Sequence, residues 1–159
     1  MSLRVSVSAV ASLSLLAAWT SIAVFVAAVI TPAAFAVLPT RALAGALVGR
    51  TLPVLFALGI LTGAGVAVLN QGMDAGRAVT AGATLLAVMC GAALIVEQRL
   101  RGMLAAIGAP MDSIAASDPR RLAFGRLHGV SVLLLGVAVL GASVAYALIA
   151  RGLSTRSTP

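Results

Sequence analysis

Four long stretches of this sequence contain no Asp, Glu, Lys or Arg. They cover residues 5–40, 51–73, 78–96 and 127–150, so they are 36, 23, 19 and 24 residues long. About 20 apolar residues in a helix are enough to cross the hydrocarbon core of a bilayer. Because a backbone in lipid must satisfy its own hydrogen bonds, each stretch is predicted to be one transmembrane helix.

The composition excludes most other classes of protein. Hydrophobic residues make up 61% of the chain and charged residues 9%, whereas soluble domains carry about 25% charged residues. A soluble domain of this length could not bury so much apolar surface, which argues against a soluble enzyme and a disordered chain. With one Cys, an internal disulfide or cysteine metal cluster is impossible.

The predicted fold class is an all-α membrane protein. It is a single domain over residues 1–159, a four-transmembrane-helix bundle made of two antiparallel hairpins. The predicted helices cover about residues 5–37, 40–69, 75–107 and 119–150, and a flexible polar tail is expected at 152–159. Pro32 and Pro53 fall inside the first two helices and are predicted to bend them, because proline removes a backbone donor.

The connections carry residues typical of helix ends. Thr40 is predicted to cap the second helix, and Asp118, followed by Pro119, is predicted to cap the fourth. Gly108, in a Gly-Ala-Pro sequence, is predicted to end the third helix. Residues 70–74, Asn-Gln-Gly-Met-Asp, are predicted to form a short polar turn between the second and third helices.

Glycines at helical spacing predict places where helices pack closely. Three pairs are four residues apart: Gly45 and Gly49, Gly59 and Gly63, and Gly125 and Gly129. Helices in lipid approach one another most closely where such small residues meet. The pair at 59 and 63 lies inside a clear membrane span and is the strongest of the three predictions.

The positive charges predict an orientation. All eleven basic residues are Arg and the net charge is +7. Seven Arg fall on the side of the first and third connections and four on the side of the termini, which favours cytoplasmic connections and periplasmic termini in a bacterial inner membrane. The lipid bilayer is the expected partner, and nucleic acid is not. Four residues are predicted to contact anionic headgroups: Arg99, Arg101, Arg120 and Arg121.

The only Glu and the only His are predicted to lie at the same depth. Glu97 precedes residue 107 by ten positions, and His128 follows residue 118 by ten. In an antiparallel hairpin both lie about 15 Å from the turn, with Arg126 about half a turn away. Ionisable groups at this depth are costly unless they are paired or face water.

Two interpretations of the ionisable residues at this depth stay open. In the first, Glu97 pairs with Arg126 or Arg99 and fixes the register of the bundle, while His128 hydrogen-bonds a neighbour. In the second, Glu97 and His128 line a polar cavity for a ligand, a proton or a cofactor. No catalytic set, metal site or cofactor is predicted from the residues, and His128 is the one candidate haem ligand.

The start of the last predicted helix resembles a family signature. Residues 124–131, Phe-Gly-Arg-Leu-His-Gly-Val-Ser, are similar to the Phe-x-x-Leu-His-x-x-Ser pattern of the transmembrane-205-like proteins. Trp19, residues 30–35 and Ala44-Gly45 resemble the first hairpin of that family. The resemblance implies a small four-helix integral membrane protein in which Phe124, His128, Ser131 and Pro32 are matching positions without an assigned chemistry.

Three functional hypotheses follow. The first is a non-enzymatic scaffold or accessory subunit, acting as a homo-oligomer or within a larger membrane complex. The second is a transporter or ligand-binding bundle with a polar cavity near Glu97, His128 and Ser131. The third is a haem-dependent redox protein with His128 as ligand, prompted by a more distant similarity to four-helix haem-pathway oxidases and copper-resistance membrane proteins.

Overall fold

The computed structural model describes the backbone of residues 2–71 and 76–156 and the side chains of residues 7–71 and 76–154. Every regular element within these ranges is helical. The elements in chain order are α1 (Ser2–Phe25), a π-helical turn (Val26–Ile30), α2 (Thr31–Val37), α3 (Arg41–Gln71), α4 (Arg77–Ile107), a 3₁₀ turn (Met111–Ser113) and α5 (Pro119–Arg156).

Four helical segments are long and apolar enough to cross a membrane, which confirms the predicted four-helix architecture. The first comprises most of α1, the π turn and α2 (Val7–Val37), and the other three coincide with α3, α4 and α5. α5 has 38 residues, so it extends over about 57 Å. This length exceeds the roughly 30 Å of a hydrocarbon core, and α5 therefore has turns to spare at its ends.

The four segments pack as a closed ring in which sequence neighbours are spatial neighbours. α3 packs on α4, α4 packs on α5, and α1 closes the ring by contacting both α3 and α5. The largest fully buried side chains include Leu16, Phe56, Val66 and Leu86. The hydrophobic core that contains them is confined to residues 9–26, 55–66, 79–93 and 138–149. It therefore lies towards the end of the bundle that carries the two termini.

The residues predicted to cap or end helices do so in the structure. The backbone N–H of Leu43 donates to Thr40 Oγ1 at 3.2 Å, and the backbone N–H of Arg120 donates to Asp118 Oδ1 at 2.8 Å. Each is a side-chain cap on an otherwise unpaired helical donor. Gly108 follows α4 with a φ of 66°, the left-handed conformation that glycine adopts most readily.

The two helix-internal prolines have different surroundings. Pro32 follows the π turn, where the N–H of Thr31 donates to the carbonyl of Val26, five residues earlier. Pro53 lies within α3, which the structure keeps as one helix across it. Because proline has no N–H, the carbonyl of Gly49 loses its α-helical donor, and a carbonyl in the turn before Pro32 loses one too.

Two predicted boundaries require correction. Asn70 and Gln71, predicted as part of a polar turn, belong to the last turn of α3, where the Asn70 amide donates to Thr80 Oγ1 at 2.6 Å. The side chain thereby links the ends of α3 and α4. The fourth helix was predicted to end near residue 150 but continues to Arg156. Residues 72–74 of the predicted turn and 157–159 of the predicted tail lie outside the described residues.

Candidate functional site

A cleft opens between the four spanning segments at the end of the bundle that carries seven of the eleven Arg. We call this the Arg-rich end. The main chamber of the cleft has a volume of about 300 Å³, and each segment contributes to its wall: Thr31 and Phe35 from α2, Val48 and Leu52 from α3, Glu97 and Leu104 from α4, and Phe124 and His128 from α5. This volume lies at the lower limit of ligand pockets.

A second chamber of about 170 Å³ adjoins the first, because Thr31, Val48, Leu52 and His128 line both. Its further lining residues include Ala27, Phe56, Ser131 and Leu135. We refer to the two chambers together as the cleft. The walls are mostly apolar, with a few polar groups converging on the interior, a combination that is typical of small-molecule sites.

The polar centre of the cleft is the contact between α4 and α5. Glu97 is only 4% exposed and Ser131 only 2%. Ser131 Oγ donates to Glu97 Oε1 at 2.7 Å. The second carboxyl oxygen, Oε2, receives no donor from the described residues. The structure therefore places a carboxyl group, half satisfied by the protein, in the wall of an apolar cavity.

The ion pair that one interpretation assigned to Glu97 is absent from the described residues. Neither Arg126 nor Arg99 lies within 4.0 Å of the Glu97 carboxylate. Both are exposed, because the two helices turn these side chains away from the α4–α5 contact. The pairing of Glu97 with Arg126 or Arg99 is therefore wrong for this structure, and Ser131 occupies the place of the expected partner.

His128 borders both chambers, as the second interpretation anticipated, but it is not hydrogen-bonded to Glu97. Its ring stacks on that of Phe124, one helical turn earlier, with centroids 6.4 Å apart and an angle of 4° between the planes. His128 is an exposed residue. The structure thus brings Glu97, His128 and Ser131 to one cleft, and leaves Arg126 outside its lining.

Two glycines and Thr31 border the open space. Thr31, which directly follows the π turn, lines both chambers. Gly45 and Gly49 line the main chamber, and a Cβ atom added to either would have no neighbour within 4 Å. The carbonyl that Pro53 deprives of its donor belongs to Gly49. A carbonyl without its α-helical donor therefore belongs to a residue that lines the main chamber.

One Arg at this end lines the cleft, and three others lie on the same two helices. Arg101 lines the main chamber, one turn beyond Glu97 on α4. Arg99 and Arg120 are exposed, and the Arg121 guanidinium donates to the carbonyl of Ile114 at 2.6 Å. This arrangement is compatible with the predicted headgroup contacts.

One Arg at this end has an acidic partner. The Arg120 guanidinium pairs with Asp118 at 2.8 Å. Hydrogen bonds from the Arg120 side chain and backbone lower the pKa of the Asp118 carboxyl from 3.8 to about 2. The pair lies at the start of α5, beside the mouth of the cleft, where it fixes the first turn of the helix.

No cluster of three potential metal ligands occurs among the described residues. Cys90 is fully buried in the packed part of the bundle, on the opposite side of Glu97 from the mouth. The residues that could contact a ligand in the cleft are therefore Glu97, Ser131, His128, Thr31 and the aromatic side chains around them.

Comparisons with protein-family models, with curated proteins and with solved structures found no match to this chain. The resemblance of residues 124–131 to the transmembrane-205-like signature stays a prediction. Three positions of that signature, Phe124, His128 and Ser131, line the cleft, because spacings of four and three residues place them on one face of α5.

Several lining residues had not been singled out as site residues in the sequence. Phe35 had no separate signal, and Gly45 and Gly49 were expected at a helix contact. A usable signal was present nonetheless. Gly49 precedes Pro53 by four residues, and small residues beside a proline in a membrane helix are a local feature that opens the backbone.

Proposed function

We propose that this chain is a multi-pass membrane protein that binds a small amphipathic molecule in the cleft. The observation that supports the proposal is a cavity of about 300 Å³ with a smaller chamber adjoining it, bordered by a buried carboxyl group with one uncommitted oxygen. A bundle that served only for packing would gain stability by filling this space, because empty space among side chains forfeits van der Waals contacts.

The placement of the cleft supports access from the membrane surface. Its lining residues extend from the Arg-rich end to the middle of the bundle, where Phe56 belongs both to the cleft and to the hydrophobic core. An amphipathic molecule in the headgroup region could therefore enter between helices without crossing the bilayer. On the proposed orientation, this end faces the cytoplasm and both termini are periplasmic in a bacterial inner membrane.

The two other hypotheses remain predictions. No described contact favours a scaffold or accessory subunit over a binding protein, and none favours haem ligation by His128. We place the binding bundle first because the cleft combines a shape and a chemistry that suit a ligand.

Filling the cleft tests the proposal directly. The purified full chain in neutral detergent is labelled with a neutral alkyl-diazirine alcohol, and modified residues are mapped by mass spectrometry. We expect saturable labelling of cleft residues in the wild type. Gly49→Leu adds a side chain at the wall of the main chamber, at a position where a Cβ atom would have no neighbour within 4 Å. It should lower labelling by about tenfold, which corresponds to about 1.4 kcal/mol.

Gly136→Leu is the matched control. Gly136 lies on α5, is exposed, does not line the cleft, and also has no neighbour within 4 Å of an added Cβ. Its labelling should equal that of the wild type. Labelling that never saturates, or that falls equally in both variants, would overturn the proposal.

A further inference from the structure

The geometry points to a lipophilic organic cation as the occupant of the cleft, with Glu97 as its counter-charge. This inference rests on the proposed function, because it names the class of ligand that the same site would take. It follows from three observations, which concern the missing partner of Glu97, the aromatic lining and the depth of the nearest Arg.

The first observation is that the Glu97 carboxyl lacks a cationic partner. It is 4% exposed, and no Arg or His among the residues with described side chains lies within 4.0 Å of its oxygens. A single hydroxyl, from Ser131, donates to one oxygen. Buried carboxylates are normally compensated by an opposite charge, because an uncompensated one is costly at this depth in a membrane. The missing element of this site is therefore a positive charge.

The second observation is the aromatic lining. The chain contains four Phe residues, and three of them, Phe35, Phe56 and Phe124, line the two chambers. The His128 ring is stacked on Phe124 and borders both chambers. Faces of aromatic rings attract cations that have lost their water, and sites for quaternary ammonium groups use this attraction. Aromatic walls around one carboxyl group thus suit a cation with apolar substituents.

The third observation concerns Arg101, the one Arg that lines the main chamber. It lies four residues beyond Glu97 on α4, about 6 Å farther along the helix, and it is exposed. A long Arg side chain at a membrane surface extends its guanidinium towards water. The acidic group at the depth of the aromatic rings is therefore Glu97, whereas Arg101 is at the mouth.

An anionic occupant fits these observations less well. It would bring a second negative charge to the Glu97 carboxyl in a poorly hydrated space, and like charges at short distance repel strongly there. An anion that instead stayed beside Arg101 would occupy the mouth alone and leave the aromatic chambers unused. Cations and anions should depend on Glu97 and Arg101 in opposite ways, so variants at these two positions distinguish the two classes of ligand.

The test compares two probes of the same shape and opposite charge, tetraphenylphosphonium and tetraphenylborate. Binding to the purified full chain in neutral detergent is measured by equilibrium dialysis, with protein-free micelles as the blank. We expect the wild type to bind the phosphonium at least about tenfold more tightly than the borate. Glu97→Gln should remove this preference, and Glu97→Asp, which keeps the charge, should retain most of it.

Arg101→Gln provides a second variant at an exposed position, where folding is not at risk. It should strengthen phosphonium binding about twofold, because it removes a nearby like charge that water largely screens. Weaker phosphonium binding in this variant would overturn the inference, as would a wild-type preference for the borate. Equal binding of the phosphonium to the wild type and Glu97→Gln would overturn it as well.

Labelling by the neutral diazirine alcohol distinguishes a failure of the cation inference from a failure of the proposed function. If it labels the cleft of the wild type and of Glu97→Gln equally while the phosphonium shows no dependence on Glu97, the cleft binds ligands but not as a cation site. If neither the alcohol nor the phosphonium binds the wild type in a saturable way, the proposed function itself fails. Reduced alcohol labelling in Gly49→Leu serves as the reference for a blocked cleft.

Discussion

The two halves of this bundle use glycine in opposite ways. Towards the termini, Gly59 lies against Trp19 and Cys90, and Gly63 lies against the backbone of α4, so that a Cβ atom at either would meet neighbouring atoms. At the Arg-rich end, Gly45 and Gly49 on the same helix face empty space. The first pair lets helices approach, and the second widens a cavity. Equal spacing in sequence therefore does not imply an equal structural role.

A second pair of glycines strengthens the packed half. A Cβ atom at Gly82 would lie 2.9 Å from the carbonyl oxygen of Gly141, and one at Gly141 would lie 3.1 Å from that of Gly82. α4 and α5 thus meet backbone to backbone. Towards the Arg-rich end, by contrast, most residues of α5 between 119 and 130 are exposed. The difference suggests that one half supplies rigidity and the other supplies access.

The largest expected effect comes from adding a side chain to the packed half. A Cβ atom at Gly63 would lie 2.9 Å from the backbone nitrogen of Ala87. Gly63→Leu must therefore push α3 away from α4, and we expect a loss of about 3 kcal/mol, or about 6–12 °C in Tm. Gly49→Leu, on the same helix, should change Tm by less than about 2 °C. Similar Tm values for the two variants, measured by circular dichroism in detergent, would remove the contrast between the halves.

An intermediate effect is expected at the contact between α1 and α3. Trp19 is 3% exposed, and its indole Nε1–H donates to the carbonyl of Leu55 at 3.0 Å. Trp19→Phe removes this hydrogen bond and leaves unfilled volume, so the free energy of unfolding should fall by about 2 kcal/mol. Phe25→Leu is the control, because Phe25 is 54% exposed. Equal destabilisation by both, in denaturant titrations, would contradict this assignment.

A smaller effect is expected in the half that contains the cleft. Ser131→Ala removes the hydroxyl that donates to Glu97 Oε1 and should lower the free energy of unfolding by about 1 kcal/mol. Ser143→Ala, at an exposed position on the same helix, should have no measurable effect. If the two variants unfold at the same denaturant concentration, the hydrogen bond to Glu97 does not stabilise the contact between α4 and α5.

The smallest effect is expected at the start of α5 and depends on pH. The folded protein lowers the pKa of Asp118 from 3.8 to about 2. A carboxyl whose pKa is lowered on folding stabilises the fold fully above its unfolded pKa and loses that contribution as the pH falls. The first turn of α5 should therefore fray between about pH 4 and pH 2, seen as lower amide protection factors at residues 120–122.

Asp118→Asn distinguishes the cap from a general effect of acid. Asn caps helices about as well as Asp and does not titrate in this range. The variant should lose the pH dependence of the protection factors at residues 120–122 and keep any change that the rest of α5 shows. Identical pH profiles in the variant and the wild type would show that Asp118 is not the group responsible.

The sequence predicted well how far along its helix each residue lies, and poorly which way its side chain points around the helix axis. Charge-free runs identified the four spanning helices, and the caps at Thr40, Gly108 and Asp118 followed from local chemistry. The equal distances of Glu97 and His128 from the connection between α4 and α5 placed the two residues at one level, and both line the cleft. It did not identify Ser131 as the partner of Glu97, because axial distance does not specify which way a side chain points.

The direction of these side chains is hard to predict because the helices are surrounded by lipid. A helix in water shows its buried face as an apolar stripe, but a helix in lipid is apolar on all sides. Residues on either side of the Glu97 level, such as Arg126 and Ser131, thus differ in direction without a pattern that reveals it. The glycine pairs were ambiguous for the same reason, since Gly59 faces a neighbouring helix and Gly49 faces a cavity.

The π turn at 26–30 has a consequence for how this membrane helix tolerates change. A π turn contains one residue more than the α-helical path would need. Deleting one residue there, and letting the turn revert to α-helix, would therefore leave the direction of Thr31 and Phe35 nearly unchanged, whereas a deletion in an α-helical turn would rotate everything that follows by about 100°. The π turn thus marks a place where the first span can lose a residue while Thr31 and Phe35 continue to line the binding chamber.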